Sequence, residues 1–147
     1  MKIVQADHKT LEQTAHLFDL YRQFYKQPSD VSAARAFISA RMVNKDSIIF
    51  LAMSENDEGM GFTQLFPSFS SVAMKTVHTL NDLYVAEAHR RSGVARALMN
   101  TAKAFAEKNS AHAIKLATAK NNHQAKALYD DIGYKLIDSY DYYSLSL

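Results

Sequence analysis

A mixed α/β domain is the fold class this chain predicts, and three observations point to it. Apolar runs of strand length alternate with amphipathic stripes of helical period, in the order β-α-α-β-β-β-α-β-α-β. The length of 147 residues suits one compact domain, 1–147, with a sizeable buried core. The 48% hydrophobic and 22% charged residues match an ordinary globular chain and exclude disordered, collagen-like and coiled-coil readings.

Each element has its own signal. Lys2–Ala6 alternates weakly and reads as a first strand. Asp7-His8-Lys9-Thr10 offers capping side chains, after which Leu11, Ala15, Phe18, Arg22 and Tyr25 share one helical stripe. Pro28 breaks that helix, and Ser29-Asp30 cap a second that runs to about Val43, with Ala34, Phe37, Ile38 and Met42 inward. Ile48–Ala52 is a continuous apolar run, which predicts a buried strand. Ser54–Gly59 reads as a hairpin turn with Gly59 at positive φ. Met60–Phe69 returns from it, with Gly61 marking a bulge or close backbone approach and Pro67 an edge or irregularity. Val72–Val85 is a long strand, and the helix from Val94 to about Lys108 carries Val94, Leu98, Ala102 and Phe105 on one face. Ala111–Ala119 predicts a further strand. Asn121 or Asn122 then caps a short helix with Ala125, Leu128 and Ile132 inward, and Gly133 ends it. The Tyr-rich Tyr134–Leu147 is expected to close the sheet as a strand or strand pair.

Composition narrows the function. With no cysteine, the chain has no disulfide framework, no thiolate nucleophile and no zinc ribbon, and no metal site is expected. No apolar run approaches the roughly 18 residues of a membrane span, and Met1–Asp7 is no signal peptide, so a soluble cytoplasmic protein is expected. The net charge is +2, and Arg90, Arg91 and Arg96 form the densest positive cluster. The basic stripe with interleaved aromatics that marks a nucleic-acid binder is missing, so neither nucleic acid nor membrane is an expected partner.

Two motifs carry chemistry. In the first, the strand Leu80–Val85 leads through a loop into Arg90-Arg91-Ser92-Gly93-Val94-Ala95-Arg96 at a helix start. A helix start exposes unpaired N–H groups and partial positive charge, which suits a phosphate. Gly93 lets phosphate oxygens approach the backbone, small Ala95 leaves room along the first turn, and the arginines add charge. An unexceptional loop–helix junction gives the same pattern, so both readings stay open on these residues alone. The second motif is Asn122-His123-Gln124-Ala125-Lys126-Ala127-Leu128-Tyr129-Asp130-Asp131-Ile132-Gly133-Tyr134.

Taken together, the two motifs resemble the GCN5-related N-acetyltransferase (GNAT) superfamily. The family pattern on the second helix is Asn, two residues, Ala, two residues, Leu-Tyr, three residues, Gly and an aromatic, and this chain fills every position. Asp82-Leu83-Tyr84-Val85 is similar to the end of the family's central strand. The resemblance implies a central mixed, mostly antiparallel sheet of six to seven strands flanked by four helices. It also implies acetyl-CoA as acetyl donor and a primary amine as acceptor: a small amine, a polyamine or a lysine side chain. Residues implied to hold the donor are Leu83, Tyr84, Val85, the Arg90–Arg96 loop, Asn122, Ala125, Leu128 and Tyr129. Two parallel strands ending near Val85 and Ala119 splay apart to admit the thioester.

Tyr129 matches the family's general acid. Physically, a phenol of ordinary pKa about 10 is protonated at neutral pH and can protonate a departing thiolate. Some polyamine-acetylating relatives place a Glu where this chain has Asn81, so the proton acceptor stays open among Asp82, Glu87, His78, His123 and water. Alternation along a strand puts Asp82 on the opposite face from Asn81. Tyr21, Phe24, Tyr25, Phe66 and Phe69 offer aromatic walls for an acceptor pocket beside Asn81, or ordinary core. The runs Pro67–Ser71 and Leu80–Val85 look like the branch of fungal histone and polyamine acetyltransferases, which implies a basic acceptor and a homodimer. A CoA-binding sensor without turnover would use the same cradle and is the alternative.

Overall fold

The computed structural model describes all 147 residues, which form two compact units, Met1–Ala117 and Thr118–Leu147. The first holds β1 (Lys2–Gln5), α1 (Leu11–Phe24), α2 (Val31–Asn44), β2 (Ile48–Met53), β3 (Gly59–Ser70), β4 (Lys75–Val85), α3 (Val94–Lys108) and β5 (Ala113–Lys115). The second holds α4 (His123–Ile132). The strands lie in the order β1-β2-β3-β4-β5, antiparallel except for the parallel pair β4–β5. No helix is long and apolar enough to cross a membrane.

Alternation along the strands sorts the core onto the two faces of the sheet. Leu51 of β2 pairs with Phe62 of β3, and both pack in one cluster with Leu17 and Phe18 of α1 and Ile38 of α2. Phe50 points the other way and meets Phe105 of α3 edge-on at 5.6 Å. Leu98, Met99 and Ala102 seal that face without exposed surface. Fully burying a side chain of the size of Leu51 or Phe62 contributes about 1.5–3 kcal/mol.

Local chemistry fixes the connections. Asp30 caps α2, its carboxylate accepting from the Ala33 N–H at 2.9 Å. The α1–α2 loop is tied back by buried Asp19, which accepts hydrogen bonds from Gln23 Nε2, Ser29 Oγ and the Asp30 N–H. Burial pushes the Asp19 carboxyl up, but these three bonds and the nearby Arg22 charge pull it further down, so its pKa lies below the ordinary value.

The structure corrects the sequence reading in four places. The sheet has five strands, where six to seven were expected. Tyr134–Leu147 forms no strand, and Leu136, Tyr140, Tyr142, Tyr143 and Leu145 are exposed. Aromatic strand propensity is expressed only where a neighbouring strand supplies pairing and packing, and this segment has no such neighbour. The expected strand Ala111–Ala119 shrinks to three residues, because β4 pairs it only through Val77–Thr79. In the β2–β3 turn, Asp57 takes the left-handed conformation at φ 61° instead of Gly59. Gly59 serves close packing there, since a Cβ would stand 3.1 Å from both Gln13 Oε1 and Leu17 Cδ1.

Pro67 behaves as an edge residue. The β2 pairing stops at Leu65, so the missing N–H of Pro67 interrupts no ladder on that side. Gly61 marks a close approach: a Cβ there would stand 2.5 Å from the Tyr84 carbonyl oxygen and 3.3 Å from Val94 Cγ1.

Two stability measurements check this description. Gly61→Ala forces backbone apart between β3 and β4 and should lower the unfolding free energy by about 1–3 kcal/mol in urea titrations. Asp19→Asn removes charge-assisted acceptors and should cost about 1–3 kcal/mol at pH 7. Because the folded pKa of Asp19 is depressed, its contribution is complete above about pH 4 and disappears as the pH falls through the folded value. The difference between wild type and Asp19→Asn should therefore narrow in melts taken from pH 5 downward.

Candidate active site

The first part of the site is built where β4 loses its neighbour. Beyond Thr79 and Lys115 the parallel pairing with β5 stops, and Leu80–Val85 keeps only β3 as a hydrogen-bonded strand partner. Peptide groups on the other edge of this segment have no ladder to join, which leaves them for an extended ligand. Leu83, Tyr84 and Val85 are half-buried along it.

The strand then runs through a single 3₁₀ turn, Glu87–His89, into the start of α3. Arg91 at φ 62° and Gly93 at φ 83° are both left-handed, a conformation that strains any residue with a Cβ. Arg90 Nε donates to the Val85 carbonyl at 3.1 Å, and Ser92 Oγ donates to the His89 carbonyl, so the loop is held to the strand end. Ala97 donates to the Gly93 carbonyl, the first α-helical bond, so the N–H groups of Val94 and Ala95 precede the helical ladder. A Cβ at Gly93 would meet nothing of the chain within 4 Å. Open space beside the backbone N–H groups of a helix start is a form that suits a phosphate. Buried Val94 pins the helix beneath it.

The second part lies where β4 breaks its own register. Gln64 faces Asp82 and Leu65 faces Leu80, so Asn81 is an extra residue, a β-bulge. The bulge overturns the expectation that Asn81 and Asp82 point to opposite faces. Their side chains meet, Asn81 Nδ2 donating to Asp82 Oδ1 at 3.0 Å. Asp82 is only 3% exposed, and its other oxygen accepts from Gln64 Nε2. Gln64 is held in turn by Ser47 Oγ, which donates to Gln64 Oε1 at 2.8 Å. Tyr21 of α1 reaches the same spot, its hydroxyl 3.5 Å from the Asn81 carbonyl oxygen. Burial, and then the Asp82 charge beside it, push the Tyr21 phenol well above its ordinary pKa, so it stays protonated.

Aromatic rings surround that hydroxyl. Tyr21 lies edge-on to Tyr25 at 5.0 Å, to Phe62 at 5.9 Å and to Tyr84 at 6.4 Å. Tyr25 closes α1 and is 58% exposed. Phe66 sits two residues past Gln64 on β3 and is half-buried. The structure thus brings Asn81, Asp82, Tyr84 and Tyr25 to one wall. His78 lies apart from it, buried against Phe105 of α3, and burial lowers its pKa. Glu87 is exposed in the 3₁₀ turn.

In the second unit, Asn122 caps α4, its Oδ1 accepting from the Ala125 N–H at 3.4 Å while its Nδ2 donates to Thr118 Oγ1. Gly133 at φ 110° ends the helix, and the Gly133 and Tyr134 N–H groups both donate to the Tyr129 carbonyl. This Schellman-type closure fixes the backbone beneath the Tyr129 ring, which stands 6.1 Å from that of Tyr134. Ala125, Leu128 and Tyr129 are half-buried.

Sequence reasoning did not single out Gln64 and Ser47, and it left Tyr21 between pocket wall and core. The available signal was polar: Thr63-Gln64 interrupts an otherwise apolar strand, and buried polar side chains need partners.

Known proteins share both sequence and fold with this chain. The profile of the Acetyltransferase (GNAT) family matches residues 14–134. The chain is 42% identical over its full length to the "Uncharacterized N-acetyltransferase YhfO" of Bacillus subtilis (strain 168), covering 98% of that protein. It is 30% identical, again over its full length, to a "Probable acetyltransferase" of Haemophilus influenzae, covering 99% of it. The crystal structure of a probable acetyltransferase superimposes over 100% of this chain and 98% of its own, with a TM-score of 0.95 at 39% identity. The chain therefore belongs to the GNAT family of acetyltransferases and is an acyltransferase.

Proposed function

We propose that the protein is an acetyl-CoA-dependent N-acetyltransferase that moves an acetyl group to a primary amine by direct attack in a ternary complex. The acceptor class is a small amine, a polyamine or a lysine side chain, in keeping with the histone and polyamine branch of the family. The observation that carries this reading is the edge of β4 beyond Thr79, outside the β5 ladder, followed through one 3₁₀ turn by the start of α3. An extended pantetheine arm suits the first and a pyrophosphate the second.

The residues assigned to the donor are Leu83, Tyr84 and Val85 along the strand. Arg90, Arg91, Ser92, Gly93, Val94, Ala95 and Arg96 serve the phosphates, and Asn122, Ala125 and Leu128 the arm. An N–H near Tyr84 or Val85 stabilises the oxyanion of the tetrahedral intermediate. Tyr129 is the general acid: its phenol proton passes to the sulfur as the carbon–sulfur bond breaks. Asp82 serves as base or as support behind the acceptor. Having no cysteine, the chain has no thiol to carry the acetyl group, which favours a single transfer over an acetyl-enzyme. The working unit in this reading is the whole chain, 1–147, as a cytoplasmic homodimer.

Release of CoA thiol, followed with acetyl-CoA against polyamines, amino sugars, amino acids and lysine peptides, tests the reaction. Turnover with at least one amine is expected, and CoA binding without turnover across the panel would overturn it in favour of a sensor. Tyr129→Phe should lower kcat about a hundredfold or more with CoA affinity unchanged, and full activity in this variant would remove the acid assignment. Gly93→Val puts a branched side chain at a left-handed φ beside the helix-start amides. Its CoA affinity should fall about tenfold, or 1.4 kcal/mol, in titration calorimetry, and an unchanged Kd would move the phosphate seat elsewhere.

A further inference from the structure

The polar cluster at the Asn81 bulge has more structure than a strand irregularity needs. A carboxylate as deeply buried as Asp82 is costly to leave charged unless donors or a cation meet it. The donors that meet its oxygens are neutral, Gln64 Nε2 and Asn81 Nδ2 with the Tyr21 hydroxyl beside them, and none of the chain's ion pairs includes it. No cation of the protein pairs with this carboxylate. The neighbouring group toward α1 is the Tyr21 hydroxyl, which stands 3.5 Å from the Asn81 carbonyl and donates into this electronegative corner. A phenol that donates its proton inward presents its oxygen lone pairs outward, strengthened as acceptors.

Aromatic rings gather about Tyr21 as a wall: Tyr25 at the end of α1 and Tyr84 on β4 lie edge-on to it, and Phe24 lies edge-on to Tyr25. Aromatic faces attract cations, and one ring of this wall already does so, with the Arg90 guanidinium 5.9 Å from the Tyr84 centroid. Phe24 and Tyr25 are each 58% exposed, so the wall is accessible. A buried carboxylate with no cationic partner, behind a hydroxyl framed by tyrosines, suits a positive charge.

We propose that Tyr21, with Asp82 behind it and Tyr25 and Tyr84 beside it, selects a positively charged alkylamine as the acceptor. The proposal rests on the acetyltransfer reading above and names the residues that choose the substrate within it. Tyr21 touches the ammonium through its oxygen. Asp82 acts through Tyr21 as a positioning residue, and Gln64, anchored by Ser47, holds the Asp82 carboxylate in place. A purely structural role for the cluster, keeping the bulge folded, is the competing explanation, and kinetics separates the two.

The experiment takes the primary alkylamine of the panel with the highest turnover and measures KM for it and for acetyl-CoA. Tyr21→Phe removes one hydroxyl and keeps the ring packing. It should raise the amine KM about tenfold or more, with kcat and the acetyl-CoA KM within about twofold. Asp82→Asn removes the charge and keeps the shape, and should raise the same KM. Because the two act as one device, the double variant should exceed the larger single effect by no more than about twofold. Thermal melts establish that each variant is folded. An unchanged amine KM in Tyr21→Phe, a loss confined to kcat or to the acetyl-CoA KM, or fully multiplicative effects in the double variant would each overturn the proposal. Failure of the unaltered protein to acetylate any amine would instead overturn the acetyltransfer reading, and this inference with it.

Discussion

The close antiparallel contact of β3 with β4 is the constraint on which the rest of this structure depends. At Gly61 the two backbones approach so tightly that a Cβ would stand 2.5 Å from the Tyr84 carbonyl, and Val94 of α3 packs onto the same point. That contact fixes the end of β4, and with it the loop and helix start that follow. A few residues earlier the same strand gains one extra residue at Asn81. One strand thus supplies a straight edge outside the β5 ladder at its end and a bulge just before it. Each deformation has a chemical use, which is the usual reason for a bulge to sit beside a site.

The electrostatics of the strand are polarised in consequence. At its end, helix-start amides and the arginines of the Arg90–Arg96 loop collect positive potential suited to an anion. At the bulge, the buried Asp82 carboxyl group lies beside Tyr21 with no cation paired to it. A reaction that joins a polyphosphate-bearing donor to a protonated amine needs opposite fields for its two substrates, a short distance apart, and β4 carries both. The amine must still lose its proton before attack. At neutral pH that costs about 4–5 kcal/mol for a lysine-like amine, so charge-based recognition and deprotonation are successive demands on the same pocket.

Much of this was legible in the amino acids. Helix stripes such as Leu11, Ala15 and Phe18 locate α1 because burial enforces a 3.6-residue period. Gly61, Gly93 and Gly133 announce a close approach and two left-handed turns, and each is where its motif requires. The Tyr134–Leu147 segment was misread because strand propensity is realised only through a partner, and pairing is not written in a segment's own residues. The Asn81 bulge was hidden for a similar reason. Register is a property of two strands, so strict alternation along β4 sent Asp82 to the wrong face. Gln64 lies on β3 and Ser47 in the α2–β2 connection, so they meet only after folding.

The edge of β4 and the start of α3 are claimed as one continuous seat for the acyl donor. Backbone hydrogen exchange with and without CoA reads that seat amide by amide. Saturating CoA is predicted to slow exchange at residues 80–85 and 94–96 together, with β1 and the α1–α2 loop unchanged. Protection elsewhere, with both of those segments unaffected, would contradict the claim.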